Sequence, residues 1–130
     1  MYNGKLGKNV LLTGATGGIG RELAKKFVTL GYNIFLTSTN EESLSSLKEN
    51  IRTANSRVKI DYFPAFLNKE DEIDSLISSV RKSFKRIDIL VNCAGIFEVN
   101  NLSEVTRESY KKSFDVNVMA PFILSQEFSK

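Results

Sequence analysis

Residues that commonly build disulfides and metal sites are nearly missing from this sequence. The chain has no histidine, and Cys93 is its single cysteine. One cysteine cannot form a disulfide within the chain, and without histidine a zinc or other transition-metal site lacks its usual ligands. We therefore expect no metal. The cysteine usage is typical of a protein kept reduced in the cytoplasm.

Concentrated charge and long apolar runs are also missing. The 18 Lys and Arg residues exceed the 15 Asp and Glu residues only slightly, and the two signs are mixed along the chain. Nucleic-acid binding normally needs a basic stripe or arm, so we expect no nucleic-acid partner. The apolar runs are far too short to span a membrane, and the polar segment 1–8 has no signal-peptide core. We expect a soluble cytoplasmic domain.

Short apolar runs alternate with stretches of helical periodicity. We predict four buried strands, at residues 9–12, 33–37, 58–67 and 87–92. We predict four helices, whose apolar faces are Ile19, Leu23, Phe27 and Leu30; Leu44, Leu47 and Ile51; Ile73, Leu76, Ile77, Val80 and Phe84; and residues along 106–130, with a bend at Pro121. The β-α alternation implies an α/β fold: a Rossmann-type doubly wound parallel sheet of strand order 3-2-1-4, truncated before a fifth strand. Ligands of such sheets bind between strands one and four.

The turn between the first strand and the first helix holds four glycines in seven residues, within Thr-Gly-Ala-Thr-Gly-Gly-Ile-Gly at 13–20. Gly14 allows a tight turn, Gly18 lets a pyrophosphate approach the backbone, and Gly20 lets the helix pack closely. Free N–H groups and the helix dipole favour an anion there. A flexible loop is the alternative, but so many glycines are entropically costly. A mononucleotide P-loop is excluded, because no Lys-Ser or Lys-Thr follows.

Three motifs carry a resemblance to the short-chain dehydrogenase/reductase family. The first is the glycine octet, which also fits the Gly-x-x-Gly-x-x-Gly form of the family's extended branch. The second, Asn-Cys-Ala-Gly at 92–95, resembles the Asn-Asn-Ala-Gly of the single-domain branch, with Cys93 as the departure. The third, Asp-Val-Asn-Val at 115–118, resembles the helix that carries the family's active-site Asn. Together they favour the single-domain branch.

The resemblance implies a nicotinamide dinucleotide site and assigns residues to it. The cofactor-binding residues would be Gly14, Thr16, Gly17, Gly18, Ile19, Ser38, Thr39, Asn68, Asn92, Ala94 and Gly95. Asn117 would bind the water of the catalytic proton relay. For three of these residues a purely structural role is the alternative to ligand binding. Asn68 would cap the next helix, Asn92 would only connect neighbouring loops, and Asn117 would be an ordinary polar residue of its helix. Cys93 is expected to be a small buried filler.

The end of the second strand favours NADP over NAD. NAD-specific sites place Asp or Glu there to bind the ribose hydroxyls. This chain has Thr-Ser-Thr-Asn at 37–40, and the hydroxyls of Ser38 and Thr39 can donate to a 2′-phosphate without repelling it. The Arg of a typical NADP site is missing, so NAD remains open.

The resemblance further implies an oxidoreductase that transfers a hydride between the cofactor and a small carbonyl or alcohol substrate. Residues 1–130 would be the N-terminal portion of one NAD(P)-binding domain, and its apolar terminal helix (Phe114, Val118, Met119, Phe122, Ile123 and Phe128) would build a homo-oligomer. The alternative is a non-catalytic dinucleotide-binding module. Methyltransferase-like and flavodoxin-like proteins are disfavoured by the second and third motifs.

The family's catalytic pair predicts the behaviour of this chain alone. Family members transfer a proton from a Tyr activated by a Lys four residues later, and none of the four tyrosines here has Lys at that spacing. We expect no carbonyl reduction by the purified chain. NADPH oxidation that scales with protein concentration, followed spectrophotometrically, would contradict this expectation.

Overall fold

The structure is a computed structural model, and it describes residues 7–130. Most of the polar N-terminal segment lies outside the described residues. The elements in chain order are β1 (Asn9–Thr13), α1 (Gly18–Thr29), β2 (Asn33–Thr37), α2 (Glu41–Arg52), β3 (Ile60–Tyr62), α3 (Glu70–Ser83), β4 (Ile89–Val91), a 3-10 turn (Leu102–Glu104), α4 (Arg107–Phe114), a π-helical turn (Asp115–Met119) and α5 (Ala120–Phe128). No helix in this part of the chain is long and apolar enough to cross a membrane.

The four strands pair in parallel in the order β3-β2-β1-β4. Leu11 at the centre of β1 stands beside Phe35 of β2 on one side and Leu90 of β4 on the other. Both central strands are buried along nearly their whole length, because helices cover both faces of the sheet. The predicted Rossmann-type order is confirmed.

Alternate side chains of β1 build two separate cores. Val10 and Leu12 pack in one core with residues of α1 and α2. Leu11 points the other way and packs with residues of α3 and α5, among them Leu76 and Leu124. Each fully buried Leu contributes roughly 1.5–3 kcal/mol through the hydrophobic effect. The sheet is therefore covered from both sides, as a doubly wound fold requires.

The buried face of α1 differs from the predicted one. Gly20, Ala24 and Val28 are buried, whereas Ile19 is 72% exposed and Leu30 is also exposed. The predicted Leu23 and Phe27 are only half-buried at the edge of the core. The cause is close packing: a Cβ on Gly20 would overlap the carbonyl oxygen of Gly14 and come within 2.9 Å of the Ala15 Cα. No side chain fits at Gly20, and this close contact sets which face of α1 is buried.

Both outer strands are shorter than predicted. β3 covers Ile60–Tyr62, although Phe63 and Ala65 still donate backbone hydrogen bonds to β2 and the residue after it. Pro64 lies between these two donors and has no N–H to contribute, which an edge position tolerates. β4 covers Ile89–Val91 and pairs, within the described residues, with β1 alone.

Asn40 caps the start of α2, where its side chain accepts a hydrogen bond from the Ser43 N–H. The continuous helical segment formed by α4, the π-helical turn and α5, called the C-terminal helix below, differs from the predicted helix in where it is irregular. Its irregularity is not a bend at Pro121 but the π-helical turn before it, where the Ala120 N–H donates to the carbonyl of Asp115. Pro121 then falls in the first turn of α5, where a missing N–H is tolerated.

Asp88 anchors the start of β4 to the start of β1. Its carboxylate accepts a hydrogen bond from the Asn9 N–H at 2.9 Å and pairs with Arg86 at 2.6 Å. The bond from Asn9, helped by Arg86, lowers the pKa of Asp88 below its ordinary value. A lowered pKa in the folded state stabilises the fold above the unfolded-state pKa, and this contribution is lost as the pH falls through the folded-state pKa.

We predict that Asp88→Asn lowers the free energy of unfolding at neutral pH by about 1 kcal/mol. Below about pH 4 the wild-type chain should lose this advantage, so the two stability curves should converge. Urea denaturation between pH 2.5 and 7 measures both curves. Glu22→Gln, which alters an exposed carboxylate outside every ion pair of the described residues, is the control. Parallel curves for Asp88→Asn and wild type would contradict the assignment.

Candidate functional site

A cavity of about 430 Å³ opens at the carboxyl ends of the strands. Each strand contributes to it through the loop that follows, and α4 closes one side. Its lining residues are Gly14, Thr16, Gly17, Ser38, Thr39, Ala65, Phe66, Leu67, Asn68, Cys93, Ala94, Gly95, Ile96, Lys112 and Val116. The cavity lies where the chain's direction of winding reverses between β1 and β4, which is the position expected for a ligand site.

The glycine turn brings the start of α1 to this cavity. Gly14 has a φ of 62°, and a Cβ there would lie 2.7 Å from the backbone nitrogen of Ala94. Gly17 donates a hydrogen bond to the Gly14 carbonyl at 3.2 Å and precedes the helix without a side-chain cap. Within the described residues, the N–H groups of Gly18 and Ile19 have no acceptor. They form an available anion site at the positive end of the helix dipole.

The space in front of Gly18 is open. A Cβ at Gly18 would meet no atom within 4 Å, unlike one at Gly20. A side chain at this position would therefore occupy room that the fold itself does not use. Open space, unpaired N–H groups and a helix N-terminus together fit the diphosphate of a dinucleotide.

Thr13 holds the two sides of the cavity together. Its buried hydroxyl accepts hydrogen bonds from the N–H groups of Cys93 at 3.1 Å and Ala94 at 3.0 Å. These bonds draw the loop after β4 against the glycine turn. Sequence reasoning gave Thr13 no role, although a hydroxyl at the end of a buried strand was the available signal.

The end of β2 presents hydroxyls to the cavity. Ser38 and Thr39 both line it, and no carboxylate does so within the described residues. The Ser38 hydroxyl oxygen is buried and has no hydrogen-bond partner in that part of the chain. Because an unpaired buried hydroxyl is costly, a ligand that bonds to it after the side chain rotates toward the cavity would gain affinity.

Eight of the eleven residues predicted to bind the cofactor line the cavity. Gly18 and Ile19 lie beside it at the start of α1, where the Ile19 side chain is largely exposed. Asn92 is exposed and outside the lining, because the chain turns toward the cavity only from Cys93 onward. Asn68 lines the cavity and does not cap α3, whose N-cap is Lys69. Cys93 is half-buried and packs against the core.

Asn117 fixes the loop after β4 from the other side. Its side-chain oxygen accepts a hydrogen bond from the Ile96 N–H, and its nitrogen donates to the Ile96 carbonyl, both at 2.8 Å. The residue lies in the π-helical turn and lines a second cavity of about 240 Å³ next to the first. The predicted role in binding a catalytic water remains a prediction. The observed role is to position backbone.

The structure adds residues that sequence reasoning missed. Ala65, Phe66 and Leu67 form an apolar wall after β3. Lys112 of α4 and Val116 of the π-helical turn line the same cavity. These positions could not be assigned from local pattern, since the cavity forms only when distant loops meet.

Comparisons with known proteins agree with this geometry. The sequence model of the short chain dehydrogenase family matches residues 8–130. An uncharacterized oxidoreductase of Thermotoga maritima is 32% identical over 92% of the chain and 46% of its own length. A sorbitol dehydrogenase of Cereibacter sphaeroides is 30% identical over 95% of the chain and 46% of its own length.

A solved structure shows the same arrangement of elements. L-sorbose reductase from Gluconobacter frateurii, in complex with NADPH and L-sorbose, superposes with a TM-score of 0.90 at 26% identity. The alignment covers 96% of this chain and 47% of that protein, so the chain spans about half the length of the proteins that it matches. With a family match across nearly its whole length, the chain belongs to the short-chain dehydrogenase/reductase family.

Proposed function

We propose that this chain is the cofactor-binding part of an NAD(P)-dependent oxidoreductase that transfers a hydride between a nicotinamide cofactor and a small carbonyl or alcohol substrate. The observation that carries the proposal is the pair of unpaired N–H groups at the start of α1, directly after the cavity-lining Gly17 and beside the open space at Gly18. Family membership supports it. So does the NADPH bound in the sorbose reductase structure.

The residues of the cavity suggest how the dinucleotide is held. The N–H groups of Gly18 and Ile19 would bind the pyrophosphate. The amide oxygen of Asn68 would accept a hydrogen bond from the adenine amine, between the apolar wall and Val116. Ala94 and Gly95 would form the wall on the side of β4. When bound, the cofactor supplies or accepts the hydride. The chain's own residues would bind it and orient it.

We propose a preference for NADP over NAD. The unpaired Ser38 hydroxyl and the neighbouring Thr39 would donate to the 2′-phosphate, and no carboxylate lining the described cavity would repel it. A metagenomic short-chain oxidoreductase 27% identical to this chain has been solved with NADP.

A second candidate function is a non-catalytic dinucleotide-binding module. The spacing of the tyrosines favours it for the chain by itself, since none is followed by Lys four residues later. In the leading proposal residues 1–130 are instead the N-terminal portion of one larger domain, in a cytoplasmic protein. The single cysteine, which requires no oxidising compartment, supports that location.

The C-terminal helix supports a homo-oligomer. Phe114, Val118 and Phe122 recur every fourth residue and are 50%, 55% and 59% exposed. Their spacing places them on one side of the helix, and an exposed apolar stripe of this kind is typical of an association surface. Ile123 and Phe128, predicted to join it, pack instead against the chain's own core.

One test of the proposed function compares two glycine substitutions. The wild-type chain should bind NADPH, and NADH more weakly. Gly18→Ala should leave the thermal unfolding temperature unchanged or slightly higher, because its Cβ meets no atom within 4 Å. It should weaken NADPH binding at least about tenfold by filling the space in front of the N–H groups. Fluorescence titration measures affinity, and circular dichroism measures stability.

Gly20→Ala is the matched control, because its Cβ would collide with the Gly14 carbonyl. This variant should unfold at lower temperature whether or not ligand is present. If Gly18→Ala binds NADPH as tightly as the wild-type chain does, the proposed pyrophosphate position is wrong.

Another prediction concerns association. Light scattering of the wild-type chain should give the mass of a dimer or a larger oligomer. Phe122→Glu should shift the mass toward the monomer, because it puts a charge into the apolar stripe. Phe97→Glu is the control, since Phe97 is 89% exposed on the loop after β4, outside the stripe. A monomeric wild-type chain at millimolar concentration would contradict the proposal.

A further inference from the structure

Lys112 is the one charged side chain that lines the main cavity within the described residues. It lies on α4, four residues before Val116, which lines the same cavity. Residues four apart share a helix face, so Lys112 and Val116 both lie on the side of the helix that faces the cavity. The other lining residues are apolar, amide or hydroxyl side chains and glycines. The positive charge at the cavity therefore comes from a single residue.

The neighbouring lysine is engaged elsewhere. Lys111 pairs with Asp115 at 2.6 Å, and this bond raises the pKa of Lys111. Lys111 does not line the cavity. The side chain of Lys112 has no ion pair and no hydrogen bond within residues 7–130, and even the Glu108 carboxylate, one turn earlier on α4, is not within 4.0 Å of its ammonium group. The two adjacent lysines of α4 therefore have different surroundings. Lys111 pairs with Asp115, whereas Lys112 lines the cavity.

We propose that Lys112 is a binding and specificity residue of this cavity, whose charge attracts the phosphates of the dinucleotide and favours NADPH over NADH. The inference rests on the proposed function, because it assumes that the cavity holds a nicotinamide dinucleotide. Both cofactors carry a diphosphate, and NADPH carries an additional phosphate monoester that is doubly charged for most of its population at neutral pH. The same ammonium group therefore attracts NADPH more strongly.

The size of the effect is limited by exposure. Lys112 is on the surface of α4, and the cavity is open to solvent. Charge pairs in such places change affinity by about twofold to fivefold. Salt screens them, since the Debye length is about 10 Å at 0.1 M ionic strength. A structural role for Lys112 would produce neither a cofactor preference nor a salt dependence, so these two measurements identify an electrostatic one.

The test measures dissociation constants of NADPH and NADH for four versions of the 130-residue chain: wild type, Lys112→Met, Lys112→Arg and Lys111→Met. Titrations at about 20 mM and about 300 mM salt separate screened from unscreened interactions. Lys112→Met should weaken NADPH binding about threefold to fivefold at low salt and NADH binding by less than about twofold. The loss should shrink at high salt. Lys112→Arg should retain wild-type affinity, and Lys111→Met should bind both cofactors like the wild-type chain.

The outcomes distinguish this inference from the proposed function. If the wild-type chain binds neither dinucleotide, the proposed function fails, and the assignment of Lys112 fails with it. If the wild-type chain binds NADPH but Lys112→Met and Lys111→Met have equal affinities, only the assignment of Lys112 is wrong. Thermal unfolding of each variant checks its fold, and Lys112→Gln replaces Lys112→Met if the latter aggregates.

Discussion

The site depends on how closely α1 approaches the end of β1. Gly20 packs against the Gly14 carbonyl with no room for a side chain, and this contact aims the start of the helix at the carboxyl edge of the sheet. The N–H groups of Gly18 and Ile19 are then left without protein acceptors beside open space. An anion at this position satisfies backbone donors that water would otherwise have to reach. The proposed cofactor site follows from this one packing constraint.

Other residues make that arrangement rigid. Thr13 ties the loop after β4 to the glycine turn, and Asn117 clamps the same loop from the C-terminal helix through Ile96. Two polar side chains from opposite ends of the chain thus hold one stretch of backbone. Their hydrogen bonds fix the loop that forms one wall of the cavity, and neither side chain lines that cavity. Because Thr13 and Asn117 hold the loop, Ala94 and Gly95 can present backbone and a small side chain to a ligand.

Much of this could be predicted because it is local. The buried run at residues 10–12, the glycine spacing and the Asn40 cap each follow from neighbouring residues, and the β-α alternation predicted the strand order correctly. The buried face of α1 was wrong, because Ile19 satisfies helical periodicity while the contact at Gly20 decides the rotation of the helix. The Ser38 hydroxyl and the exposure of Lys112 to the cavity depend on loops far apart in sequence, so no local pattern reveals them.

The most direct measurement of the central claim is a ¹H–¹⁵N correlation spectrum of the chain recorded during titration with NADPH. Binding of the pyrophosphate at the start of α1 predicts that the largest amide shifts occur at Gly17, Gly18 and Ile19. Smaller shifts should follow at Ala94 and Gly95 across the cavity. If NADPH binds and these amides do not move, or the largest shifts cluster on another surface, the account of this site is wrong.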